Sequence, residues 1–258
     1  MDKVALITGA SKGVGKSIAF ELAKKNVKLI LVSRNLSNLK KLKKDIEKKI
    51  NFQYIKIIAG DVSNINIINK IQKVCKQTYG LPDILINNTG GPPSGSFTKL
   101  NSKIWYEHIN NNLMSVINFS SAFHKQMIKK KWGRMITISS TIAKEPSSNM
   151  VISATLRSGV SGFNKSISFE LAPHNITVNS ILLGGVKTDR LTKLIKKSSK
   201  IKKIKYETYL NKIQSSIPMG RFANPEEISD LVSFLVSEKG SYITGQNIVI
   251  DGGLSKSI

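Results

Sequence analysis

Short, nearly unbroken apolar runs alternate along the chain with longer stretches in which apolar residues recur at helical spacing. Lys3–Thr8, Lys28–Val32, Gln53–Ile58, Asp83–Asn87, Arg134–Ser139, Ile176–Leu182 and Asn247–Ile250 read as strands. They are rich in Ile, Val and Leu and show little polar alternation, the pattern of strands covered on both faces of a parallel sheet. Gly13–Lys25, Leu36–Ile50, Asn64–Tyr79, Asn112–Lys131, Val151–Ala172 and Pro225–Ser237 read as helices, long enough to serve as crossovers between parallel neighbours. No internal repeat, low-complexity linker or break in composition divides the chain, so one α/β domain over 1–258 is expected. Asp189–Ser216 interrupts the alternation. It is basic and amphipathic, and predicts a helical lid over a substrate.

Composition sharpens this picture in a few places. At 258 residues and 40 % hydrophobic content the chain can build a packed core. Lys+Arg number 40 against 16 Asp+Glu, a formal charge of +24. Arg34, Arg134, Arg157, Arg190 and Arg221 are the arginines, and lysine makes up the rest. Lys, Ile and Asn are all abundant and share A/T-rich codons, so genome bias is the favoured account of the charge. Nucleic-acid binding finds no recognition module and no aromatics interleaved with the basic runs. A third reading has the run Lys193–Lys205 attracting an anionic substrate carrier or a coenzyme-linked substrate. Cys75 is the sole cysteine, which excludes an internal disulfide. No apolar run approaches the roughly 20 residues of a membrane span. The strand-like run begins at once and leaves no room for a signal peptide, so a cytoplasmic location is expected.

The strongest chemical signal follows the first strand. Thr8-Gly9-Ala10-Ser11-Lys12-Gly13-Val14-Gly15 joins it directly to a helix. Glycines there permit a tight turn and let backbone N–H groups approach a pyrophosphate, which the helix N-terminus then faces. The spacing Gly-x-x-x-Gly-x-Gly resembles the nucleotide motif of the short-chain dehydrogenases/reductases, and the resemblance covers almost the whole chain. Asn87-Asn88-Thr89-Gly90 resembles the family's motif after the fourth strand, and Asp61-Val62 its adenine-contacting pair after the third. Asn112 matches the active-site asparagine. Arg134–Ser140 matches the fifth strand, which ends in the active-site serine. Asn179–Thr188 resembles the segment touching nicotinamide, placing Gly184, Val186 and Thr188 against the coenzyme. Pro218–Arg221 and Ile243–Gly253 resemble the C-terminal signature. The resemblance implies a doubly wound Rossmann fold, a seven-stranded parallel sheet with helices on both faces. It also implies a homotetramer, with a dimer next, through the helices Asn112–Lys131 and Val151–Ala172. Gly159, Ser161, Gly162 and Ser166 on the latter permit close helix approach.

Coenzyme choice is read at the end of the second strand. An acidic residue there would hold the ribose hydroxyls of NAD. The chain has Val32-Ser33-Arg34-Asn35 instead. Arg34 offers a cationic fork for a 2′-phosphate, and Lys12 adds a second charge from the glycine turn. NADPH is therefore expected over NADH. Gly9, Ser11, Lys12, Gly13, Val14, Gly15, Arg34, Asp61, Val62, Asn88, Gly90 and Arg157 are the remaining candidate coenzyme contacts.

The catalytic helix departs from the family. Ser, Tyr and Lys carry its chemistry, with a supporting Asn. The tyrosine follows the serine by about a dozen residues in this family, and the lysine lies four further on, over one helical face. Counting from Ser140 places Ser153 at the tyrosine position and Arg157 at the lysine position. An aliphatic hydroxyl is a far weaker acid than a phenol of pKa about 10. Arginine stays protonated, so Arg157 can stabilise charge or hold a ribose but not relay a proton. Lys144, Tyr206, Tyr209, or a water held by Asn112, Ser140 and Ser153 are the alternative donors. Leu183 replaces a usual proline and is expected to loosen the nicotinamide turn. Gly90–Gly95 is expected to form a stiff, irregular wall. His108, His124 and His174 lack metal-ligand spacing, and no metal is expected. Cys75, Trp105 and Trp132 read as structural.

The sequence thus points to an NADPH-dependent reductase of a carbonyl, either a small molecule or a 3-oxoacyl group on a carrier. The alternatives are a catalytically impaired NADP-binding protein with a structural or sensing role, and a basic protein that binds RNA.

Overall fold

The computed structural model describes residues 2–257, so Met1 and Ile258 of the expected domain lie outside the described residues. Seven strands form one parallel sheet: β1 (Val4–Ile7), β2 (Lys28–Ser33), β3 (Ile55–Ala59), β4 (Ile84–Asn87), β5 (Gly133–Ser140), β6 (Ile176–Leu183) and β7 (Asn247–Ile250). Their order is β3-β2-β1-β4-β5-β6-β7. The expected α/β fold, a doubly wound seven-stranded sheet, is the fold observed.

Strand alternation explains why the runs read as continuous. Ala5 and Ile7 of β1 face one hydrophobic layer, Val4 and Leu6 the other. Leu29 and Leu31 against Ile30 and Val32 repeat the pattern on β2. The first layer is closed by α1 (Gly13–Lys24), α2 (Leu36–Ile50) and α9 (Pro225–Leu235). The second is closed by α3 (Asn66–Gln77), α5 (Ser115–Lys130) and α6 (Val151–Leu171). Cys75 and Trp132 are buried in these layers, as expected. Burial pushes the Cys75 thiol up to about 12. Trp132 packs under the Arg134 guanidinium, 4.4 Å from its ring centroid.

Two further helices, α7 (Asp189–Ile201) and α8 (Tyr206–Ser215), occupy the stretch expected as a lid. They enclose their own small cluster of Ile195, Ile217 and Phe222, with Tyr206, Tyr209 and Leu210 packed on it.

One expected helix is wrong at its start. The chain turns helical at Ser102, well before Asn112, as α4 (Ser102–His108), with the Asn101 side chain accepting from the Ile104 N–H at 3.0 Å. A π-helical turn over Ile109–Met114 then joins α4 to α5. No residue of α4 is buried, so it carries no apolar stripe from which a helix could be read.

Candidate functional site

Strand order reverses between β1 and β4, and there the loops after both strands must separate to opposite faces, leaving a crevice. The glycine turn follows β1 and Asn88–Gly91 follows β4, so both line it. Asn88 ties them together. Its N–H donates to Thr8 Oγ1 at 2.9 Å, and its Nδ2 donates to the carbonyls of Thr8 and Gly9 at 3.2 and 3.1 Å. Gly9 and Gly13 have φ of +57° and +52°, the left-handed region that favours glycine. A Cβ on Gly9 would collide with the Asn88 carbonyl oxygen, and one on Gly15 with the Gly9 carbonyl oxygen. No side chain caps α1, and its first turn carries no acid. Its N–H groups are thus available to an anion.

The other candidate coenzyme positions gather around this crevice. Ser11 and Ser33 exchange a hydrogen bond of 2.8 Å across the ends of β1 and β2. Arg34 is 78 % exposed at the β2 terminus, with Nη1 3.9 Å from Asp61 Oδ2. Lys12 is exposed, Val14 is buried against α1's layer, and Val62 packs on the opposite layer. Gly184 abuts Asp251, whose Cβ would lie 2.6 Å from a Cβ on the glycine. Val186 is buried and bridges to Ala223. Thr188 caps α7, and its methyl would stand 3.1 Å from a Cβ on Gly13, so the lid helix starts directly over the glycine turn. Leu183 does not loosen its segment. It ends β6 paired to both Ser140 and Ile250, and the Gly184 N–H donates to the Ile250 carbonyl at 2.9 Å. A parallel ladder on both sides holds what a proline ring would otherwise stiffen.

Around the end of β5 the candidate catalytic residues converge. Ser140 is half-buried, and its Oγ accepts from the Ile142 N–H at 3.4 Å. Asn112 is buried within the π turn, its Nδ2 donating to the His108 carbonyl at 3.3 Å and its Oδ1 accepting from Thr89 Oγ1 at 3.5 Å. The widened turn breaks the ordinary helical ladder and turns this amide toward β4 and β5. Ser153 is 2 % exposed, and its Oγ accepts from Arg157 Nε at 3.1 Å, one helical turn away. Burial, with the nearby positive charge of Arg190, lowers the Arg157 guanidinium to about 10. A cavity of about 10 Å³ lies among Asn87, Thr89, Asn112, Thr137, Ser139 and Arg157, enough for one water. Asn87 Nδ2 and Ser139 Oγ are buried there without a partner.

Several proposed donors lie elsewhere. Tyr206 and Tyr209 pack within the lid cluster, with Lys196 and Lys202 over their rings at 5.7 and 5.4 Å. Lys144 is exposed. Among the described residues, no cluster of three or more His, Cys, Asp or Glu can hold a metal, and no helix is long and apolar enough to cross a membrane. Three residues received no site role from the sequence: Asn87 and Ser139, named only within their motifs, and Arg190, named only among the arginines. Arg190 follows Thr188 by two positions, and its Nη2 donates to the Pro92 carbonyl at 3.3 Å. Its rarity as one of few arginines was the available signal.

A family model described as short chain dehydrogenase matches residues 3–199. The NADPH-dependent reductase BacG of Bacillus subtilis is 36 % identical over 99 % of both chains. The 3-oxoacyl-acyl-carrier-protein reductase FabG of Buchnera aphidicola (from Schizaphis graminum) is 37 % identical over 98 % of this chain and 97 % of its own. Among solved structures, YwfH, an NADPH-dependent reductase involved in bacilysin biosynthesis, superposes with a TM-score of 0.92 at 35 % identity over 99 % of both chains. L-sorbose reductase from Gluconobacter frateurii, complexed with NADPH and L-sorbose, superposes with a TM-score of 0.93 at 27 % identity, covering 99 % of this chain and 97 % of that one.

Proposed function

The chain belongs to the short-chain dehydrogenase family, and from that premise we propose that it is an NADPH-dependent reductase of a carbonyl substrate, a small ketone or a 3-oxoacyl group. The carrying observation is the crevice itself, where an uncapped helix start, the Asn88 clamp and the half-buried Ser140 lie within one fold edge. Gly9, Ser11, Gly13, Val14 and Gly15 cradle the pyrophosphate. Lys12 and Arg34 take the 2′-phosphate, and Asp61 and Val62 border the adenine. Asn88, Gly90, Gly184, Val186 and Thr188 position the nicotinamide end, and Arg157 reaches its ribose. NADPH, when bound, supplies the hydride that reduces the carbonyl carbon.

Ser153 and Arg157 stand where the family carries tyrosine and lysine, so the proton needs another source. Ser140 donates a hydrogen bond to the carbonyl oxygen, and the positive charge of Arg157 stabilises the developing alkoxide. The proton that completes the alcohol comes from a water, which the cavity beside Asn112 and Arg157 is sized to admit, and the hydroxide left behind takes a proton from solvent. Asp189–Ser216 acts as a lid on a single domain. The exposed faces of α5 and α6, where Phe169 is 68 % exposed, suit a homotetramer or a dimer in the cytoplasm, measurable by light scattering.

NADPH consumption with ketones and oxoacyl thioesters tests the proposal. Turnover that Ser140→Ala abolishes supports it. A second reading is favoured by one contact: Ser153 Oγ is already engaged by Arg157 and offers no acid. If NADPH binds by calorimetry and no carbonyl is reduced, the protein is a coenzyme-binding module instead.

A further inference from the structure

We propose that Arg157 and Arg190 form a clamp for a carboxylate on the substrate, so that the carbonyl reduced belongs to an oxo acid. The inference rests on the reductase reading above and narrows its substrate class. Arg157 rises from α6 and Arg190 descends from the first turn of α7, and the two forks meet beside one backbone atom. A Cβ on Gly91 would stand 2.7 Å from Arg190 Nη2 and 3.0 Å from Arg157 Nη2. Among the described residues neither arginine pairs with a carboxylate, although Asp189 adjoins Arg190 in sequence. Each has one neutral anchor, Ser153 Oγ for Arg157 and the Pro92 carbonyl for Arg190, which aims the fork without neutralising it.

Two converging cations without a counter-charge are unfavourable in a partly buried site. Burial lowers both guanidinium pKa values, and the charge of Arg190 adds to the cost at Arg157. An oxyanion placed between them removes that repulsion, and guanidinium forks match a carboxylate two N–H groups at a time. The coenzyme's phosphates have separate sites, at the α1 start and at Arg34. Arg157, at the nicotinamide ribose rather than at a phosphate, borders the cavity shared with Asn112, at the reacting end. Gly91 makes room for both forks, since any side chain there would press between them.

The test follows NADPH consumption with acetoacetate and with methyl acetoacetate, whose ester removes the charge and adds a methyl group. The acid is expected to have a kcat/KM higher by about tenfold to a hundredfold, the scale of charge-assisted hydrogen bonds. Arg190→Gln collapses that ratio while its NADPH affinity, measured by calorimetry, stays unchanged. Gly91→Ala collapses it by obstruction, with both arginines present. Equal use of acid and ester by the wild type overturns the clamp and leaves the reductase reading intact. Loss of NADPH affinity in Arg190→Gln also overturns it, since the pair would then serve the coenzyme. If neither compound is reduced, the reductase reading fails for this class. The clamp is then decided by melting: acetoacetate must stabilise the wild type and not Arg190→Gln, and equal shifts refute it.

Discussion

Restoring a phenol to the catalytic helix should raise reduction of a neutral ketone, but only when Arg157 is shortened with it. Ser153 is 2 % exposed and its Oγ is bonded to Arg157 Nε, so the arginine side chain lies over the place a tyrosine ring must enter. Ser153→Tyr alone overpacks that space, at about 1–3 kcal/mol of stability. Arg157→Lys alone leaves Ser153 Oγ without its donor and supplies no acid. Together, the shorter lysine vacates the volume and sits one turn from the phenol, as a cation that lowers its pKa from about 10. A positioned general acid contributes about 10²–10⁴-fold, equivalent to about 2.7–5.4 kcal/mol of barrier. The assay is NADPH consumption with methyl acetoacetate across all four proteins. The double variant should exceed the wild type by about 10²-fold or more, and neither single variant should. Its rate should fall with rising pH as the phenol ionises. A double variant that melts cooperatively, binds NADPH and shows no gain refutes the reasoning. The pocket would then present its carbonyl to a different donor.

Two other outcomes follow from local charge. Arg34→Ala should weaken NADPH by about tenfold to a hundredfold and leave NADH unchanged, as calorimetry with each coenzyme will read. Equal loss for both would move Arg34 away from the 2′-phosphate. Glu227 is held down to about 2 by the paired Arg221 fork and the Asn224 N–H, against an ordinary value of 4.5. Its stabilisation is present above pH 4.5 and lost as pH falls toward 2, so Glu227→Gln should flatten the acid side of the denaturation profile over that window.

The strands were legible because burial on two faces favours apolar residues at most positions, and the observed ends differ from the expected ones by at most two residues. The glycine turn was legible because its close approaches admit only glycine. The Ser153–Arg157 contact also followed from helical spacing, since positions four apart face each other. α4 was not legible, because a helix with no buried face leaves no periodic trace. Nor was the π turn at Asn112, which is a shift in backbone bonding that side-chain identity does not encode. Arg190 was hidden for a different reason. Its meaning depends on α7 landing over Gly91, a contact between positions far apart in the chain.

The arginines divide in a way the net charge of +24 conceals. Arg34 lies 3.9 Å from Asp61, Arg134 lies 3.7 Å from Glu238, and Arg221 is bonded to Glu227 at 2.8 Å. Arg157 and Arg190 face each other, and among the described residues neither pairs with a carboxylate. A chain that uses lysine for its solvated charge keeps arginine where a planar fork has a geometric task. Three positions have a carboxylate of the same chain within 4 Å, Arg34 while also facing the 2′-phosphate site. For the other two, the free protein carries an uncompensated repulsion. Arg190→Gln should therefore stabilise the ligand-free protein, by on the order of 1 kcal/mol for two partly buried cations at this range. That corresponds to a melting temperature about 2–4 °C higher for a chain of this size. Arg221→Gln, which breaks a formed pair, should lower it. With acetoacetate present the order of wild type and Arg190→Gln should narrow or invert, because only the wild type binds the anion. A ligand-free Arg190→Gln protein less stable than the wild type would show that Arg190 is held by packing, and that the structure stores no repulsion for a substrate to relieve.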